Sequence, residues 1–472
     1  MKKIILGFIL FLVCSAVSFA KVKLPDIIGD NMVLQQNTKV KLWGEATPNR
    51  KIAITTSWNN LTYNGVSDAK GNWVVLVATP KASYQKHEIV INDGEKTTLK
   101  NVLIGEVWFC SGQSNMQMPL NGFWNCPIEG ANALIATSGQ FKHIRVATIP
   151  NVGKTEPQSS CEGKWMESNP ENAAQFSATA FHFAMMLSKS LDIPVGIINC
   201  SWGGSTVEGW MKKEILQNYP DVDLSLAGTD KIHPMLQPMI MYNGMLKPLV
   251  NYTIKGFLWY QGESNVGRHL SFAVRLGSLV MLWGGGWGLG ELPFYFAEIA
   301  PFEYGEGDAA AYLREAQFNA QRLIPNSGMI STNDLVEDYE RKNIHPKNKT
   351  KVGERLCYMA LANTYGFKNS VWCYGPSYKS MEINEGKAYI SFDHAQEGFS
   401  REEGIIGFEM AGADKIFYPA EARADFNKKI VVVSCDKVKE PAAVRYCFRN
   451  FQIGNLYNHR ELPVVPFRTD NW

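Results

Sequence analysis

The sequence predicts an α/β protein: a doubly wound central part flanked on both sides by all-β regions. Three observations carry this. Between residues 104 and 370, apolar strand-like runs alternate with helical stretches at 173–190, 272–283, 309–323 and 351–363, as layered α/β folds require. From 21 to 103, short alternating segments at 39–43, 51–55 and 73–77 are separated by Gly, Asn and Pro turns, with no long helix. From 371 to 472, strand-like pieces return at 388–392, 405–409, 429–433 and 443–447. The two β regions can stand as separate modules or pair into one β-sandwich, and the sequence leaves both topologies open.

A chain of 472 residues, less a 20-residue leader, suggests about three domains at roughly 150 residues each. The expected division is 1–20, 21–103, 104–370 and 371–472. Residues 1–20 have a basic start, an apolar middle and a small-residue end at Ser18-Phe-Ala20, which reads as a cleavable signal peptide. The expected location is therefore periplasmic or secreted. No stop-transfer flank follows, so no membrane association is expected after cleavage.

With a net charge of +2 and 19% charged residues, the composition gives no electrostatic footprint for a nucleic-acid partner. Of nine cysteines, Cys14 leaves with the leader, and the remaining eight are scattered without zinc-site pairs. They are expected to be mostly free and buried; if one pair bridges, it is Cys126 and Cys161, both in loop-like sequence. Trp283-Gly-Gly-Gly-Trp-Gly288 lacks the Walker lysine and reads as the turn ending a helix. The histidines show no ligand spacing, so no metal and no cofactor are expected.

The chemistry is carried by Val107-Trp-Phe-Cys-Ser-Gly-Gln-Ser-Asn-Met116. The apolar run 102–110 is rich in β-branched and aromatic residues, like a buried parallel strand. Ser111-Gly112 breaks it and leaves Ser114 at the carboxyl edge of a sheet, where open α/β folds place their ligand sites. Gly112-Gln-Ser-Asn-Met116 fails the Gly-x-Ser-x-Gly elbow at its last position, so a different serine hydrolase class is needed. Serine and asparagine are also favoured in turns for local reasons. Two further apolar runs, however, enter similar polar loops, at Asn199-Cys-Ser-Trp-Gly-Gly-Ser205 and Trp259-Tyr-Gln-Gly-Glu-Ser-Asn265. Asn343-Ile-His-Pro-Lys-Asn348 then supplies a histidine late in the chain. Ester hydrolysis needs an activated hydroxyl, a base and oxyanion donors, and Ser114, His345, glycine amides and Asn265 fit those needs.

The order and wording of these segments resemble the SGNH hydrolase superfamily, and within it the bacterial sialate O-acetylesterase family. The resemblance extends to Leu292-Pro-Phe-Tyr-Phe296, Leu313-Arg-Glu-Ala-Gln317, Ile344-His-Pro-Lys-Asn-Lys349, and both ends of the mature chain. It implies an SGNH/flavodoxin-like three-layer α/β/α catalytic domain. It also implies Ser114 as nucleophile, His345 as general base and acid, and an oxyanion hole from the Ser114 amide, an amide at Gly203 or Gly204, and the Asn265 side chain. The implied substrate is an acetylated sialic acid. An acetylated polysaccharide such as xylan is the alternative, and a non-catalytic glycan-binding protein is an alternative of another class.

The chain departs from the superfamily at the acid. The position three before His345 is Lys342, and the position two before, often Asp in the nearer family, is Asn343. Asp334 is the expected third member, ahead of Glu337 and Asp338; a backbone carbonyl can also hold the ring, because the task is to fix tautomer and orientation. Gln113, Glu263, Arg268 and Trp202 are the candidates for substrate binding. Glu263 can instead orient its loop by accepting backbone amides. The Arg268 guanidinium fork suits a sugar carboxylate, and Trp124, Trp202 and Trp210 can stack on a sugar ring.

Overall fold

A computed structural model of the chain describes residues 21–472; the expected leader lies outside the described residues. The architecture is mixed α/β, with one large mixed sheet and smaller flanking β-sheets. At the centre of the large sheet is a 17-residue strand, Lys96–Gly112. Beside it run Gly256–Tyr260, Phe294–Ala297 and Ser327–Ile330 on one side, and Val195–Ser201, Ile144–Thr148 and Trp165–Glu167 on the other. All neighbours in this path are parallel except the last pair.

The first half of the central strand belongs equally to the N-terminal β region. It pairs antiparallel with Ser83–Asn92 and parallel with Val33–Gln35. The boundary expected at 103/104 therefore falls inside one continuous strand. At roughly 3.3 Å per residue a strand of this length spans some 55 Å, enough to serve both regions without a linker.

Residues 102–112 of this strand are buried, and alternate side chains go to opposite sides. Val107 and Phe109 join a cluster containing Trp259, Trp283 and Trp287; Trp108 and Cys110 join another containing Phe183, Leu356 and Cys357. Helices His269–Trp287 and Ala309–Ala320 contribute to the first cluster, and Ala178–Leu191 and Thr350–Asn363 to the second.

Two helices differ from expectation. The stretch 173–190 breaks into Pro170–Ala173 and Ala178–Leu191, because Ser177 caps the second piece by accepting from the Ala180 amide at 3.1 Å. The glycine run 284–286 does not end its helix, which continues to Trp287. Trp283 and Trp287, one turn apart, donate their indole N–H groups to the Trp210 and Tyr252 carbonyls at 3.2 and 2.8 Å. These buried anchors outweigh a glycine cost of about 1 kcal/mol per residue, and Gly288, with φ +64°, supplies the left-handed cap.

The C-terminal region forms two four-stranded sheets. Ile390, Val431 and Val433 of one share a core with Phe408, Met410, Val444 and Tyr446 of the other. This core contains no residue of the N-terminal region, so the C-terminal strands make a sandwich of their own. Arg445 and Arg449 reach Asp308, and Arg468 reaches Glu315, tying the sandwich to the Ala309–Ala320 helix and its N-cap. Among the described residues, no helix is long and apolar enough to cross a membrane.

Candidate active site

The central strand delivers Ser114 through a turn that only glycine permits. Gly112 sits at φ +136°, and a Cβ there would collide with the Tyr260 carbonyl oxygen. That carbonyl accepts instead from the Gln113 amide at 2.9 Å, and the Gly112 carbonyl accepts from Trp202 N at 3.0 Å. The three strand ends expected to carry polar loops are thus stitched together. Ser114 opens the short helix Ser114–Gln117 with 9% of its surface exposed. An amide at the start of a helical turn has no intrahelical acceptor.

Gly203 lies beside it, its Cβ direction 3.4 Å from Ser114 Cβ, but its amide donates to Gln117 Oε1 at 2.7 Å. Gly204, in the left-handed region at φ +77°, accepts the Ser264 hydroxyl on its carbonyl at 2.8 Å. Of the two expected glycine amides, Gly203's is therefore already committed.

His345 is drawn to the same place by Asn115, the residue after the candidate nucleophile. Asn115 is fully buried; its Nδ2 donates to Glu263 Oε1 at 2.6 Å and to the Ile344 carbonyl at 3.1 Å. Its Oδ1 accepts from Lys349 Nζ at 2.8 Å, and Lys349 also donates to the Pro346 carbonyl at 2.6 Å. One side chain thus joins the Ser114 turn, the Glu263 loop and both flanks of His345. Burial holds the Lys349 pKa down at about 7 and pushes that of Glu263 up. Burial, followed by the charge of Lys349, lowers the His345 pKa to about 4. At neutral pH this histidine is an unprotonated base.

Several expected residues have other partners. Asp334 is gripped by both arms of Arg355 at 2.7 and 2.6 Å, with both side chains almost fully buried. Its carboxylate is spent on that pair and makes no hydrogen bond to His345. Of the other acid candidates, Glu337 pairs with Lys347 at 2.6 Å. The group facing His345 Nδ1 is the Cys126 thiol, at 3.8 Å. The Cys126–Cys161 bridge is not formed, and all eight described cysteines are free. Asn265 does not offer its amide to the Ser114 side. Its Nδ2 donates to Glu208 at 3.0 and 3.3 Å and its Oδ1 accepts from Val207 N and Gln261 Nε2 at 3.0 and 2.7 Å. Glu208 is buried and also bonded to Arg275, and a carboxylate out of water needs that many donors.

Gln113, expected at the substrate, accepts the Gly262 and Ser264 amides at 3.2 and 3.4 Å and so shares the loop-holding work anticipated for Glu263. Glu263 accepts from Asn115 at 2.6 Å, and the Gly262 and Glu263 backbone amides favour its charged form. Arg268 is half exposed, 3.5 Å from Glu208, and keeps a face toward solvent. Trp202 lines a surface cleft of about 590 Å³ with Thr155, Asp230, Lys231, His233 and Gln237. Asn115, Lys349 and Cys126 are the site residues that sequence reasoning missed. The first two sit inside motifs already singled out, next to Ser114 and four residues after His345.

A family model described as carbohydrate esterase, sialic acid-specific acetylesterase, matches residues 104–362. Human sialate O-acetylesterase is 27% identical over 426 residues, covering 84% of this chain and 81% of that protein. The mouse sialate O-acetylesterase is 25% identical over 436 residues, covering 79% of each. The crystal structure of a carbohydrate acetylesterase from Xanthomonas citri superposes with a TM-score of 0.85 at 30% identity, covering 96% of this chain and 100% of that one. Fold and matches together define a carboxylic ester hydrolase. The chain belongs to the sialic acid-specific acetylesterase family of carbohydrate esterases.

Proposed function

We propose that this protein is an exported serine esterase that removes O-acetyl groups from sialic acids through an acyl-enzyme, on an SGNH-type three-layer α/β/α domain. The observation that carries the mechanism is the Asn115 bridge, which fixes the Ser114 turn against the His345 loop. His345, neutral above about pH 4, takes the proton from Ser114 as the hydroxyl attacks the acetyl carbonyl. The oxyanion is met by the Ser114 and Gly204 amides. As the tetrahedral intermediate collapses, the imidazolium protonates the departing sugar oxygen, which leaves as the hydroxyl, and water, activated by the same histidine, then attacks the acyl-enzyme and releases acetate.

The half-exposed Arg268, together with Lys231 in the Trp202 cleft, supports a substrate carrying a carboxylate, as sialic acids do. The broader description of the Xanthomonas citri neighbour as a carbohydrate acetylesterase supports a second reading, an acetylated polysaccharide such as xylan. Acetate release from O-acetylated sialic acid and from acetyl-xylan, measured side by side, separates them: faster release from the sialate is expected, and faster release from xylan replaces the substrate while keeping the mechanism. Binding without release from any acetyl ester would instead support a glycan-binding protein. Export is tested by the N-terminal sequence of the mature protein, expected to begin at Lys21.

A further inference from the structure

We propose that Cys126 is the positioning residue for His345, standing where a triad carboxylate would otherwise hold the ring. The inference rests on His345 being the base. Residues 123–126 form a tight turn, closed by Phe123 N to the Cys126 carbonyl at 3.0 Å and Cys126 N to the Phe123 carbonyl at 2.9 Å. Asn125 takes φ +58° at its corner. Both ends of the turn bear on the imidazole: the Phe123 ring meets it edge-on at 5.2 Å between centroids, and Cys126 Sγ lies 3.8 Å from Nδ1.

The donors and acceptors close in one consistent way. Asn343 Oδ1 accepts the His345 backbone N–H at 3.0 Å and also lies 3.3 Å from Cys126 Sγ. An amide oxygen can only accept, so the thiol hydrogen points to Asn343. The sulfur is then left with lone pairs alone to offer Nδ1, which must carry the ring proton. Nε2 is thereby the unprotonated nitrogen, the one a base presents to a serine hydroxyl. Asp334, Glu337 and Glu340 are held elsewhere, by Arg355, by Lys347 and by backbone amides of the same loop. The charged groups acting around the pair are Lys349, felt by both His345 and Cys126, and Glu340, felt by Cys126.

A thiol fixes the tautomer without stabilising the imidazolium as a carboxylate does, so its removal has a modest and specific signature. In Cys126→Ala, kcat should fall about fivefold to tenfold, the scale of one neutral hydrogen bond, with KM unchanged. Water reaching Nδ1 should move the acid limb of kcat/KM upward from near pH 4 by at least about one unit. Cys126→Ser, which keeps a donor and an acceptor, should recover most of the rate. A packing role alone would lower Tm without moving the acid limb. Cys126→Ala with the parent's kcat and pH profile, while His345→Ala is inactive, overturns this inference alone. His345→Ala active at the parent rate overturns the assignment of the base and the inference with it.

Discussion

Asn115 donates its side-chain amide to the carbonyl of Ile344 at 3.1 Å, so the residue after Ser114 holds the residue before His345. The two sit 229 positions apart in the chain, and their bond ties the loop of the candidate nucleophile to that of the candidate base. The same amide also donates to Glu263, and its oxygen accepts from Lys349.

Asn115→Ala should therefore cost more than its size suggests. It strips one partner from a buried carboxylate and one from a buried amine, and an unpaired buried polar group costs roughly 1–3 kcal/mol. Thermal unfolding should show the loss, and kcat should fall by about 100-fold with a smaller change in KM, as expected when reacting groups lose alignment.

Lys349→Met removes the positive charge that helps lower the His345 pKa to about 4. The histidine should then titrate closer to its ordinary value of about 6.5. A higher pKa means the base is protonated at a higher pH, so the acid limb of kcat/KM should shift upward, toward neutral. A pH–rate profile of parent and variant checks the sign.

The pH dependence of stability has the same origin. His345 and His182 are both held at about pKa 4, chiefly by burial. The unfolded chain therefore binds more protons than the folded one between about pH 6.5 and 4. Their contribution is complete above pH 6.5 and is lost as the pH falls through that window. Tm measured against pH should decline there, and more gently in His182→Gln.

Asp334→Asn breaks a buried ion pair and leaves Arg355 without its carboxylate. The expected loss is about 3–5 kcal/mol of stability, while kcat of the protein that remains folded stays within about threefold of the parent. A large fall in kcat at unchanged Tm would return Asp334 to the catalytic machinery.

The placement of the candidate serine was legible in the sequence. The apolar run to Cys110 and the polar cluster after it announce a serine presented at a sheet edge, and the structure puts Ser114 there, although the strand does not break at Ser111-Gly112 but runs through both, paired on either side. Asp334 was misjudged because proximity to His345 in sequence says nothing of Arg355, 21 residues beyond it, which closes on it in space. Asn265 looked available because the buried Glu208, 57 residues earlier, gives no sign in sequence that it will need the amide. Lys349 gives no local sign of burial: its ammonium is held by Asn115, 234 positions away, a separation at which no local pattern operates. The helix through Gly284–286 was missed for the reverse reason: local propensity was clear, and two tryptophan anchors overrode it.

The most direct test of the account is acetate release at pH 7 by Ser114→Ala beside the parent, with folding of both verified by their Tm. The account predicts a loss of at least about 10⁴-fold at unchanged Tm, the scale on which a missing nucleophile acts. A variant within about tenfold of the parent would contradict it and remove Ser114 from the chemistry.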